Sequence, residues 1–244
     1  MRIDWLEIRS SWKNLGGLIV DFDQNRDVTV LIGRNGAAKS NLLEAIIMIF
    51  RNLDLGEPAA FAYEVRYDIE ERKVVIQAEA GKQPKGTLDT KAVSLSDLRQ
   101  RWTPKYVVGY YSGVSDRFEE LFRRHDSRAL DKTLGPTKNA SNPEKLELRR
   151  FICARPVHGL FALLSFYFSD DKEVMKFLQE LPRIKDFDSA LLILRKPVWA
   201  KKGFHANEFW GAKGPVRELL ERIRQYSLVP FARVPPAAML DGCY

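Results

Sequence analysis

Apolar and polar positions divide the chain into a strand-rich start and a helix-rich remainder. Ile3, Trp5, Leu6 and Ile8, then Leu18, Val20 and Phe22, form two short strand-like runs separated by the polar residues 10–14. Residues 28–32, Val-Thr-Val-Leu-Ile, are largely β-branched and apolar apart from the Thr29 hydroxyl and read as a buried strand. Residues 40–53 are apolar on nearly every face through Phe50, which predicts a helix buried against a sheet, ended by Gly56 and Pro58. Residues 61–69 and 73–80 predict a hairpin with Glu70, Glu71 and Arg72 at its turn, and the polar residues 81–90 predict a mobile loop. Residues 106–111 predict a second buried strand that stops at Ser112-Gly113, and 191–194 a short buried run. Helices are expected at 117–124, after Asn142-Pro143, at 170–181 and from Pro215 onward. The last has Leu219, Leu220 and Ile223 on one face and Glu218/Arg222 as a supporting pair.

The junction of the 28–32 run with the helix carries the first chemistry. Gly33, Arg34, Asn35, Gly36, Ala37, Ala38, Lys39 and Ser40 follow the pattern G-x-x-x-x-G-K-[ST], except that Ala38 stands where the second glycine belongs. Gly33 suits a tight turn out of a strand, and Gly36 lets the backbone approach a phosphate with no side chain between. Lys39 would set its ammonium on the β- and γ-phosphates of ATP, and the Ser40 hydroxyl would join the shell of a Mg²⁺ bridging them. Both lie at a helix N-terminus, where free N–H groups and the dipole favour anions. If residue 38 takes positive φ, alanine costs about 1–2 kcal/mol there. If φ is negative, the loss is mainly of close backbone approach.

The run Gly33-Arg-Asn-Gly-Ala-Ala-Lys-Ser-Asn-Leu-Leu-Glu-Ala45 resembles the G-x-N-G-x-G-K-S-N-L-L-E-A loop of the SMC/RecF-like branch of ABC-type ATPases, with Asn35, Asn41 and Glu44 adding specificity. Two later segments, 106–113 (YVVGYYSG) and 209–214 (FWGAKG), are similar to AAA-family ATPases found beside bacterial restriction and defence systems. The resemblance implies an α/β P-loop NTPase of ABC/SMC-head type with an antiparallel β subdomain, here incomplete. It implies ATP and Mg²⁺ as cofactors, Asn41 beside the nucleotide, DNA as a client, and a homodimer or partner subunit completing the site. On this reading residues 1–244 are one domain, with a nucleotide-binding core at 1–60, a peripheral hairpin at 61–80 and a mainly helical remainder at 104–230. In such heads the loop between the first two strands approaches the base, so Lys13 is a ligand candidate beside its ordinary reading as a solvated lysine.

Composition narrows the picture without deciding it. A chain of 244 residues with 45% hydrophobic content can bury one sizeable core. Cys153 and Cys243 lie far apart and make no metal-spaced cluster, and no signal-peptide layout opens the chain, so a cytoplasmic protein without a membrane partner is expected. The formal charge of +7 suits a polyanionic partner as well as an ordinary basic protein. Arg117, Arg123, Arg124, Arg128 and Lys132, continued by Arg149, Arg150 and Arg155, are candidate phosphate contacts or a solvated helix face. Trp199, Lys201, Lys202 and Phe204 interleave aromatic and basic residues, as a base-stacking surface or a core would.

A hydrolytic site needs more than the loop. The family delivers a glutamine near the end of a strand such as 106–111; here only Ser112 or Ser115 stands close, and Ser115-Asp116 equally suits a helix cap. An acidic pair should follow an apolar strand, and residues 163–168 with Ser169-Asp170-Asp171 are the one candidate. Ser169, Asp170, Asp171 and Glu173 are accounted for more fully as a helix start. No L-S-G-G-type signature occurs, and His125, His158 and His205 share no ligand spacing. The expectation is an ATP-binding head acting on DNA, whose hydrolysis needs elements from elsewhere. The alternative is a non-hydrolysing nucleotide-binding or scaffold subunit, and a small-molecule kinase is a third class without an evident acceptor site.

Overall fold

The structure, a computed structural model, describes residues 1–26, 28–113, 116–134, 149–167, 171–180, 188–189, 191–194, 196, 206–212 and 214–227. The chain is mixed α/β and divides into two compact units. One comprises Met1–Asp126 and Arg149–Leu163, the other Ser127–Leu148 and Leu164–Tyr244.

The first unit is built on a six-stranded antiparallel sheet in the order β2-β1-β3-β4-β5-β6. Its strands are β1 (Arg2–Ile8), β2 (Leu18–Asp21), β3 (Tyr63–Ile69), β4 (Arg72–Ala78), β5 (Lys85–Leu88) and β6 (Lys91–Val93). Register follows the apolar alternation. Val20, Leu6, Val65, Ile76, Gly86 and Val93 are successive neighbours across the sheet. Leu6, Val65 and Ile76 in that row are fully buried, each removal from water contributing about 1.5–3 kcal/mol. Gly86 leaves room for Leu98 of α2 (Leu95–Arg101), because a Cβ at Gly86 would fall 2.8 Å from its methyl carbon. The other face holds a buried polar group. Glu64 accepts from Arg9 at 2.5 Å and Gln77 at 2.7 Å, and from Arg66 at 2.7 Å. Burial pushes the Glu64 carboxyl up, but these partners outweigh it and hold it below the usual carboxylate range.

Helix α1 (Lys39–Leu55) packs on the apolar face, with Phe50 edge-on to Tyr67 at 5.5 Å. It ends where expected: Gly56 takes φ 72°, its N–H returns to Asn52 and Leu53, and the Glu57 N–H bonds the Asn52 carbonyl. A separate parallel pair, β7 (Val107–Tyr110) and β8 (Phe151–Ala154), aligns Gly109 with Cys153. Helix α3 (Arg117–Leu134) lays Phe122 against Gly109, where a Cβ would sit 2.8 Å from the ring. Helix α4 (Pro156–Tyr167) follows β8.

In the second unit, α5 (Lys172–Glu180) buries Leu178 and sets Phe177 edge-on to Phe166. A 3₁₀ segment (Ala206–Gly211) buries Phe209, over whose ring Arg217 and Arg224 of α6 (Gly214–Gln225) lie at 5.5 Å.

Several expectations are corrected. Residues 28–32 join neither sheet, and Val28, Val30 and Ile32 are 76%, 73% and 93% exposed. An apolar run becomes a buried strand only where neighbouring strands take up its backbone groups and layers cover its faces; no described strand does so. The loop expected at 81–90 contains β5 and continues to β6, because β4 presents an edge that Thr87 and Leu88 can pair. The 106–111 strand forms, but only Gly109 is buried while Val108 and Tyr110 face outward. Residues 163–167 belong to α4, so the apolar run before Asp171 is helical. Asp171 accepts from the Glu173 N–H and starts α5. Leu191 and Ile193 are exposed rather than a buried run, lacking any strand to pair with among the described residues. In α6 Glu221 binds Arg217 and Arg224, in place of the Glu218/Arg222 pair. The helix after Asn142-Pro143, and Ser115, Ser169, Asp170, Trp199, Lys201, Lys202, Phe204, His205 and Cys243, lie outside the described residues. Among the described residues no helix is long and apolar enough to cross a membrane.

Candidate phosphate-binding site

Residues 33–38 form an exposed turn that delivers the chain into α1. Its shape comes from two left-handed residues, Gly36 at φ 86° and Ala38 at φ 61°, ψ 6°. The Ala37 N–H returns to the Arg34 carbonyl at 3.1 Å and closes the turn. Ala38 is the N-cap, and its carbonyl accepts the first helical bond from Leu42. Having no side-chain acceptor, it leaves the first-turn N–H groups uncapped, and no acidic residue occupies that turn. Uncapped donors and an unopposed dipole make this end of the helix receptive to an anion.

The Lys39 ammonium folds back over the turn and donates to the carbonyls of Gly33 at 2.6 Å and Arg34 at 2.9 Å. It thus sits within the ring of residues 33–39. A phosphate entering the ring would exchange these neutral acceptors for charged ones, which make stronger hydrogen bonds. Ser40, in the first turn, is half-buried, and Arg34 and Asn35 are exposed at the tip.

Asn41 is not aimed at open solvent. Its Oδ1 accepts from Arg117 at 2.6 Å and its Nδ2 donates to Asn14 Oδ1 at 2.5 Å. Asn14 in turn donates to the Gly36 carbonyl at 3.4 Å. One turn further along α1, the buried Glu44 receives Arg117 on one carboxylate oxygen and Lys13 on the other. Lys13 therefore has a buried partner, and its backbone adopts φ 48°. The tertiary contact of Arg117 with Glu44 spans 73 positions and leaves no mark in local sequence patterning.

The other sequence candidates lie apart from this ring. Ser112 is exposed. Neither strand of the parallel pair ends in acidic residues: β7 runs into Tyr111-Ser112 and β8 into Arg155. Among the described residues no three His, Cys, Asp or Glu side chains converge to hold a metal. His125 is buried, stacked on Phe151 at 4.3 Å, and shares Asp54 with Arg150. Burial pushes the Asp54 carboxyl up, but the His125 hydrogen bond and the Arg150 charge overcome it and hold it low. His158 accepts the Arg155 N–H. Burial raises the Cys153 thiol, which makes it a poor nucleophile.

Much of the basic stretch is also paired. Arg124 binds Glu57, Arg149 binds Asp126, Arg155 bridges Glu119 and Asp126, and Arg123 lies at 3.5 Å from Glu120. Arg128 is exposed. A scan against protein-family models found no match to the chain, and a search of curated proteins found none either.

Proposed function

We propose that the turn at residues 33–41 binds ATP with Mg²⁺, and that the chain acts as the ATP-binding head of an SMC/RecF-like, ABC-type P-loop ATPase. The observation that carries this reading is the turn itself. Gly36 and Ala38 are both left-handed, and an uncapped helix start follows directly with the Lys39 ammonium held inside the turn. The β- and γ-phosphates would replace the Gly33 and Arg34 carbonyls as partners of Lys39, while the N–H groups of the first turn would receive phosphate oxygens. Ser40 would contribute its hydroxyl to a Mg²⁺ held mainly by the phosphates and water. DNA as client, a restriction or defence setting, and a second copy or partner subunit completing the site belong to the same proposal.

One observation favours the alternative of a nucleotide-binding or scaffold subunit that does not hydrolyse. Residues 163–167 of the apolar run that precedes Asp171 belong to helix α4, so among the described residues this run supplies no strand to present an acidic pair. Calorimetry on the purified chain separates the readings. Saturable binding of ATP with Mg²⁺, lost in Lys39→Ala, is the expected result; binding without turnover, alone and with DNA, selects the non-hydrolysing subunit. No binding to the wild-type chain sinks the nucleotide reading.

A further inference from the structure

Resting on the nucleotide reading above, we infer that Arg117 is a positioning residue that couples occupancy of the 33–41 turn to the start of helix α3. The supporting geometry is a closed ring of polar contacts. From the Gly36 carbonyl it runs through Asn14 to Asn41, from Asn41 to Arg117, from Arg117 to Glu44 and from Glu44 to Lys13, which adjoins Asn14. Three stretches distant in sequence meet there: the connection between β1 and β2, the first turns of α1, and the first residue of α3.

Two features set this ring apart from an ordinary surface ion pair. Glu44 is only 3% exposed, so removing either cation leaves a buried carboxylate oxygen without its partner. Lys13 holds a left-handed backbone, uncommon outside glycine, while its ammonium reaches Glu44 and lies 5.0 Å from the Trp12 ring centre. Trp12 is itself packed on Phe61 at 4.7 Å, which ties that connection to the core just ahead of β3.

The coupling follows from which atoms Arg117 grips. Its Nη2 holds Asn41, the residue directly after Ser40, whose backbone N–H belongs to the uncapped first turn. Its Nε holds Glu44, three positions and so about one turn further along α1. An anion drawn onto the first turn stiffens Asn41, and the bidentate guanidinium passes that restraint to α3. By linkage, an ordered α3 start must favour nucleotide binding as much as nucleotide favours that order, with Arg117 as the contact that couples the two.

Hydrogen–deuterium exchange on the full chain, with and without ATP and Mg²⁺, tests this alongside calorimetric affinity. In the wild type, nucleotide should slow exchange at residues 33–45 and at 117–124. In Arg117→Ala the first effect should remain and the second vanish, with affinity weakened about five- to tenfold, within the usual range of coupling between sites. A purely structural Arg117 would lower the melting temperature yet leave the nucleotide response of α3 and the affinity unchanged, and that result overturns the inference. Arg117→Lys keeps the charge beside Glu44 but cannot span both acceptors. Should the alanine form not fold, loss of the α3 response in the lysine form supports the coupling and full retention overturns it. Absence of binding by the wild type removes the nucleotide reading and this inference together, whereas binding with an unresponsive α3 removes the inference alone.

Discussion

Ala38 decides how the turn at residues 33–38 should be judged. Its φ of 61° places an alanine where glycine is at ease, a strain of about 1–2 kcal/mol for a residue with a Cβ. Glycine at that position also widens the unfolded ensemble, which offsets about 0.4–1 kcal/mol of the relief. Ala38→Gly should therefore raise stability by about 0.5–1 kcal/mol, read as a higher urea midpoint at unchanged slope. A lowered midpoint would show that the left-handed conformation is not held in solution. The identity of every residue in the turn was legible in the sequence, and so was the question of what Ala38 costs. The sign of its φ was not, because a backbone angle is set by where the turn must deliver the helix. The same holds for Asn41 and Glu44: their place in the motif was plain, while their partner Arg117 lies 73 or more positions away and is found only by folding.

At the scale of elements, local punctuation was the dependable signal. Gly56 ended α1 as read, and the β3–β4 hairpin turned through Glu70 and Glu71, both at positive φ. Glu70 and Glu71 were placed although neither is a preferred hairpin type, because the apolar alternation on both sides set the register; Arg72, also expected at the turn, instead opens β4 opposite Ile69. Packing between elements supplies two predictions. Gly109 of β7 lies against Phe122 of α3, so Gly109→Ala must displace the ring and should destabilise by about 1–3 kcal/mol in urea unfolding; an unchanged midpoint would mean that α3 does not pack there. Asp54, near the end of α1, is bonded to His125 of α3 and to Arg150 just before β8. Its carboxyl is held low in the folded chain by these partners against burial. The stability it contributes is thus present above its unfolded value of about 3.9 and is lost as pH falls through the lower folded value. Comparing pH 7 with pH 3 in urea unfolding, Asp54→Asn should show a smaller loss of stability than wild type. An equal loss in both would assign the acid sensitivity to other carboxyls, Glu64 first among them.

For the whole molecule, net charge and paired charge point in different directions. The chain carries +7, yet Arg117, Arg124, Arg149, Arg150 and Arg155 of the stretch that promised phosphate contacts are bound to carboxylates. If the residual charge still meets DNA by neutralising about five phosphates, log affinity should fall against log salt with a slope of about −4.5. Fluorescence anisotropy with a duplex at several salt concentrations measures it, and binding that is absent or insensitive to salt removes DNA as a polyelectrolyte partner. The sequence by itself determined the mixed α/β class, the β1–β4 and α1 elements and the glycine-containing stretch 33–40 ahead of α1, since these rest on periodicities and residue types that act within a few positions. Tertiary structure alone decided that residues 28–32 lie exposed, that the run before Asp171 is helical, and that Lys13, Asn14, Asn41, Glu44 and Arg117 close a ring beside the turn. Burial and ion pairing depend on what other segments bring to a residue, and the apolar pattern of a segment states only what it could bury.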